Sequence, residues 1–157
     1  MRYPTVHAAA VVRRRATGAD VPVLRELFAD AHVEFAVLPP DTRFVLVDMR
    51  FRAQRRQQLR QHPRAVQQIV CSDGRAVGQL VLDDRGDHVR VLDLTVGLGR
   101  RREGIASAAL RDVCRAHARV RIDVQAGDVA ARALCAGVGF EVTAEHRGVL
   151  TLEFTRE

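Results

Sequence analysis

The chain contains no lysine, no asparagine and no tryptophan, so all 25 of its basic side chains are arginine. Aromatic residues are few: six Phe and a single Tyr, Tyr3. A net charge of +6 and a pI near 10.7 invite a nucleic-acid reading. That reading lacks the stacking aromatics and the recognition motif it would need. Cysteine is also scarce. Cys71, Cys114 and Cys135 form an odd, widely spaced set, which is no disulfide framework and points to a reducing cytoplasm. Cys114 and His117 stand at helical spacing, but no second pair completes a zinc site, and no HExxH occurs, so no metal is expected. No segment approaches the roughly 20 apolar residues of a membrane span. The short apolar run near the N-terminus is followed by Arg13–Arg15 rather than preceded by positive charge, which is the wrong order for a secretory signal. A cytoplasmic protein without membrane association is the expectation.

What is present suits one domain over residues 1–157, with 47% apolar residues to fill a core. Val6 to Arg14 reads as a first strand. Thr17 and Asp20 form a capping-box-like start to a helix that buries Val21, Leu24, Leu27 and Phe28. After Pro39-Pro40, the apolar positions Phe44, Val47, Phe51 and Leu59 suggest a second helical region ending near His62-Pro63. Ala65–Ser72, Arg75–Asp83 and His88–Val96 form an antiparallel meander, its first turn at Asp73-Gly74. A Gly-rich turn, a small-residue helix to about Ala118 and a strand Val120–Gln125 follow. A short helix capped by Asp128 then ends near Gly137, and Phe140–Glu145 and Val149–Arg156 make a closing hairpin. The fold class is α/β in the α+β sense: a mixed, mostly antiparallel sheet of about seven strands flanked by about four helices.

The most informative segment runs from Val96 to Ser107, between a predicted strand and a predicted helix. Such a junction offers backbone N–H groups and a helix N-terminus to an anion. Gly99 and Gly104 have Walker A spacing, but Ile105-Ala106 stand where the phosphate-bridging Lys and the magnesium-binding hydroxyl belong. A dinucleotide fingerprint using Gly97 and Gly99 would put its third Gly at Arg102, and the preceding strands are hairpins rather than parallel units.

Arg101-x-x-Gly104-x-Ala106 after a strand ending at Val96, followed by Asp128-x-x-Ala131-x-x-Leu134-Cys135-x-x-x-Gly139-Phe140, resembles the GNAT superfamily of acyl-CoA-dependent N-acetyltransferases. The order of elements matches over nearly the whole chain. The resemblance implies acetyl-CoA as co-substrate, its pyrophosphate held by the backbone of Arg101, Arg102, Glu103, Gly104, Ile105, Ala106 and Ser107. It also implies a pantetheine arm lying beside Leu94, Thr95 and Val96, where a backbone N–H would face the thioester oxygen. Asp128 and Arg132 belong to the second motif of the same site. The segment carrying Phe28, Phe35, Phe44 and Phe51 corresponds to one wall of the acceptor site, although that spacing equally suits core. Arg102 stands where the family often has Gly, and Leu98 where it often has Pro.

The implied reaction is direct attack of a primary amine on the thioester in a ternary complex. The acceptor is a small-molecule amine or a protein N-terminus. At pH 7 about one lysine-type amine in 2,500 is neutral, against about one α-amine in seven, so a general base matters. Asp123 is the first candidate, because the resemblance places it where N-terminal acetyltransferases of the family carry an acidic base, and Asp93 is the second; either can equally pair with one of the many arginines or point to solvent. The family's usual acid is a tyrosine at the position of Cys135; a thiol there can donate a proton to the leaving thiolate or can simply be buried. A non-catalytic acyl-CoA-binding module is the alternative this departure suggests, and a basic nucleic-acid-binding protein the remote one. The resemblance also admits a homodimer.

Overall fold

The computed structural model describes residues 10–157; Tyr3 and the start of the strand expected from Val6 lie outside them. Seven strands form one sheet: β1 Val12–Arg15, β2 Val66–Ser72, β3 Arg75–Asp84, β4 Val89–Val96, β5 Arg119–Gln125, β6 Glu141–His146 and β7 Val149–Thr155. Four α-helices accompany them: α1 Val21–Ala31, α2 Pro40–Gln61, α3 Ile105–Ala116 and α4 Val129–Val138. The strand order is β1-β2-β3-β4-β5-β7-β6, and only the β4–β5 pair is parallel. The expected mixed, mostly antiparallel sheet is therefore what forms.

Among the described residues the first strand begins at Val12. Val12 pairs with Cys71, one residue before β2 stops at Ser72, so β2 offers nothing opposite Ala10. The helix expected after Thr17 begins with a 3-10 turn, Gly18–Asp20, before α1 proper. Asp20 accepts from the Thr17 N–H at 2.8 Å and from both terminal nitrogens of Arg14 at 2.8 Å, which fixes α1 to the end of β1. The Arg14 guanidinium holds the Asp20 carboxyl far below the usual range.

Alternation along the strands divides the apolar side chains between two layers. Val70, Leu80, Val91, Val120 and Leu152 face α3 and α4, where Ile105, Leu110, Val113 and Cys135 close the larger core. Ile69 faces α1 and α2, packed with Leu24, Phe28, Phe35, Val47 and Phe51. Phe44 is not part of this core; it is 61% exposed and lies under the Arg25 guanidinium, 5.6 Å from its ring centre. Leu59 is exposed as well. The helix that carries both is amphipathic over its middle turns only.

One contact sets the position of β4. Gly78 on β3 pairs with Val96, and a Cβ at Gly78 would lie 2.6 Å from the Thr95 carbonyl oxygen. Glycine lets the two backbones approach where any side chain would hold them apart. Gly78→Ala is therefore expected to cost about 1–3 kcal/mol. Urea unfolding checks this, and an unchanged midpoint would show that β4 can move away freely.

Candidate active site

Strand β4 pairs with β5 over three residues only, Val89–Val91 against Val120–Ile122. The register against β3 then shifts: Val91 pairs with Leu82 and Asp93 with Val81, leaving Leu92 as an extra residue. A bulge of this kind bends a strand and increases its twist. Beyond it, Asp93–Val96 stays paired with β3, while β5 runs on beside β7 as far as Gln125. A wedge opens between two neighbouring strands of the same sheet. Its β4 edge carries the backbone of Leu94, Thr95 and Val96, and an extended chain can pair with such an edge. One acceptor there is already in use, since the Val96 carbonyl takes the Arg101 Nε–H at 3.2 Å.

The wedge leads into the β4–α3 loop. Gly97 N–H donates to Val77 O at 2.9 Å, and Leu98 N–H to Asp30 Oδ2 at 3.0 Å, tying the loop to β3 and to the end of α1. Arg102 (φ 66°) and Gly104 (φ 77°) both occupy the left-handed region. The arginine sits where the family often has glycine, and the conformation explains that preference. Gly104 is the N-cap of α3, no side chain caps the helix, and its ladder begins with Ala108 N–H donating to Gly104 O. The N–H groups of Ile105, Ala106 and Ser107 thus have no intrahelical acceptor. They border a cavity of about 230 Å³, walled by Arg100–Arg102, Gly104, Val96 and Leu134. Positive dipole, open N–H groups and arginine together favour an anion there.

The three loop arginines are not equivalent. Arg100 bonds Glu103 at 2.5 Å and reaches Ser72 Oγ at 3.5 Å. Arg101 is spent on Val96 O and, at 3.4 Å, on Asp30 O. Of the three, only the Arg102 guanidinium makes no hydrogen bond or ion pair among the described residues, and it is exposed. Ile105 is buried, so its side chain serves the core and its backbone alone faces the cavity. Asp128 caps α4 by accepting from Ala131 N–H at 3.0 Å, and Arg132 bonds Ala126 O. Both stabilise the β5–α4 turn.

The candidate acid and bases lie on opposite sides of the sheet. Cys135 follows Leu134 on α4 and is 1% exposed, in the larger core. Burial, and then the nearby Asp128, pushes its thiol up, so it stays protonated at neutral pH. Asp93 is on the α1–α2 side, just past the last paired rung of β4 and β5. Its Oδ2 accepts from Gln79 Nε2 at 2.5 Å and its Oδ1 from Thr95 Oγ1 at 3.0 Å. Burial pushes its carboxyl up from its ordinary value, against the opposing pull of Thr95, Gln79, the Leu94 N–H and His32. Asp123 is on the same side but occupied: Arg90 donates to one oxygen at 2.5 Å and Thr151 Oγ1 to the other at 2.8 Å. Asp30, Gln79 and His32 have no counterpart among the residues predicted from sequence. Asp30 and Gln79 act through partners distant in the chain, and no local pattern marks any of the three. His32 Nδ1 donates to Phe28 O at 2.7 Å and its ring stacks on Phe28 at 4.0 Å.

A protein-family model, the acetyltransferase (GNAT) family, matches residues 24–140. No curated protein matches the chain in sequence. Among solved structures, an acetyltransferase from Thermus thermophilus superposes with a TM-score of 0.71 at 19% identity, covering 96% of this chain and 99% of that one. The PaiA N-acetyltransferase of Thermoplasma acidophilum, in complex with coenzyme A, gives 0.70 at 11% identity over 94% and 99%. RimJ of Mycobacterium smegmatis, in complex with CoA-disulfide, gives 0.66 at 23% identity over 94% and 83%. At such identities the structural likeness speaks for the fold, and the family match covers most of the chain, wedge and loop included: the protein belongs to the GNAT acetyltransferase family.

Proposed function

We propose that this protein transfers an acetyl group from acetyl-CoA to a primary amine by direct attack within a ternary complex. The observation that carries the reading is the continuity of the β4–β5 wedge with the uncapped N-terminus of α3 and its cavity. An extended thiol arm fits the first, and a pyrophosphate fits the second. Arg102 is the side chain available to close on phosphate oxygens. A backbone N–H between Leu94 and Val96 would stabilise the oxygen of the tetrahedral intermediate.

The amine nitrogen attacks the thioester carbon and passes its proton to Asp93; the C–S bond then breaks and the coenzyme A thiolate takes up a proton. Asp93 is preferred over Asp123 because its carboxylate bears no cationic partner, whereas Asp123 is held by Arg90. Cys135 occupies the motif position of the acid and keeps its proton at neutral pH, although the burial that raises its thiol also makes it a weaker donor to the thiolate. Its burial also suits an inert core residue. The acceptor is a small-molecule amine or a protein N-terminus. A side-chain lysine of the same chain is excluded, because there is none.

Acetyl-CoA at 100 times its dissociation constant is expected to stabilise the protein by about 2.7 kcal/mol in a thermal-shift measurement. Gly104→Glu puts a side chain and a negative charge at a left-handed position facing the phosphates. It should abolish that shift while the circular dichroism stays native, and a retained shift would mean that the phosphates bind elsewhere. Asp93→Asn is expected to lower kcat by about 10²–10⁴-fold in a thiol-release assay, with Asp123→Asn changing it only a few-fold; the reverse ranking would move the base to β5. Cys135→Ala should slow turnover several-fold at neutral pH. Equal rates across the pH range would make Cys135 structural, and ligand stabilisation without transfer to any amine would favour a binding module.

A further inference from the structure

The two carboxylates that are buried outright among the described residues are each satisfied by a cation. Asp20 takes Arg14, and Asp83 takes His62 at 3.1 Å and Arg85 at 2.9 Å. In a chain with 25 arginines this is the expected outcome. Asp93 differs. Its side-chain partners are neutral donors only, among the described residues, although β4 carries Arg90 three positions away on the same side of the sheet.

The donors form a directed chain across three strands. Gln67 on β2 gives its Nε2–H to Gln79 Oε1 at 2.9 Å, and Gln79 on β3 gives its Nε2–H to Asp93 Oδ2 at 2.5 Å. The three side chains share one face, since Gln67 pairs with Val81 and Val81 with Asp93, while Gln79 is two residues from Val81. Direction matters because an amide is unsymmetrical. With its oxygen engaged by Gln67, Gln79 must present its NH₂ to the carboxylate. Were Gln67 absent, the Gln79 amide would be free to turn and set oxygen against oxygen.

We propose that Gln79, locked in orientation by Gln67, is a positioning residue that keeps Asp93 ionised and aimed at the β4–β5 wedge without neutralising it, so that the vacant positive charge is supplied by the ammonium form of the acceptor. This rests on the assignment of Asp93 as the base. The arrangement reconciles two demands. Burial favours the neutral acid, which could neither attract an ammonium nor accept its proton. Hydrogen bonds to the charged form oppose burial without contributing a cation. An arginine in place of Gln79 would satisfy the carboxylate and close it to an incoming amine, which is the condition of Asp123. The titratable and charged groups on this side of Asp93 include His32 and Asp30 at the end of α1, Arg55 on α2, which lines a small cavity with Gln67 and Val81, Arg90 on β4 and Asp123 on β5. The last two neutralise each other at 2.5 Å, and Arg121 and Glu153 do so further out. The acceptor class that follows is a cationic amine, rather than one carrying a carboxylate beside its nitrogen.

The test is the titration of Asp93 in the full chain, followed by carbon-13 NMR of its side-chain carboxyl, with Asp93→Asn identifying the signal. Gln79→Met, close in shape but without a donor, is expected to raise the midpoint by about one to two pH units. Gln67→Met, which touches no part of Asp93, should raise it in the same direction by less. The acidic limb of kcat/KM, measured by thiol release with a diamine and with a peptide bearing a free N-terminus, should move by the same amounts. Unchanged carboxyl titration in both variants overturns the proposal. A shifted titration in the glutamine variants, combined with an Asp93→Asn enzyme that keeps its full rate, overturns instead the assignment of Asp93 as the base. Preference for an anionic over a cationic amine acceptor would overturn the predicted substrate class.

Discussion

The extra residue at Leu92 lets β4 follow β3 while parting from β5, and the site is built on that separation. Two features enforce it. Gly78 allows β3 to hold the end of β4 at backbone contact distance, and β7 holds β5 through Gln125 on the far side. A sheet that stayed paired would bury the edge of Asp93–Val96 and close the wedge. Because the parting occurs inside a sheet rather than at its rim, both layers of helices can reach it. The α3 N-terminus arrives from one face, and α1, through Asp30 and His32, from the other.

Charge in this protein is used in two ways. Most arginines bind carboxylates or carbonyls of the fold itself: Arg14 anchors α1, and Arg101 fastens the loop to Val96 and Asp30. Surface pairs of this kind contribute little each, but those near the loop fix backbone positions that the ligand must find. The uncompensated groups are fewer and more informative. In the proposed reading Arg102 and the first N–H groups of α3 take an anion, and Asp93, on the other side of β4, a cation. The two requirements fit an anionic acyl donor and an amine acceptor approaching one strand from opposite faces.

Local pattern makes much of this legible. Strand alternation, the Asp73-Gly74 turn, the Thr17–Asp20 box and the Arg101–Ala106 spacing are short-range signals, and the elements they mark form close to their expected places. Among the described residues the first strand starts only at Val12, and where it starts depends on where β2 ends, which is non-local. Phe44 is indistinguishable by spacing from Phe51, and only the position of α1 leaves it outside the core. The loop arginines look alike in sequence; the neighbours that separate them, Glu103, Asp30 and Val96, are partly distant in the chain. The contrast between Asp93 and Asp123 has the same origin. It rests on Gln79 in one case and on Arg90 and Thr151 in the other, each on a different strand.

The central claim is that the edge of β4 freed from β5, continued by the start of α3, is the surface that takes the acyl donor. Amide hydrogen exchange with and without acetyl-CoA tests it most directly, because backbone N–H groups are themselves the proposed contacts. The account predicts slowed exchange in Leu94–Val96 and in Arg102–Ser107, with little change in β1 or β6. Protection absent from both segments, or confined to another part of the molecule, would contradict it.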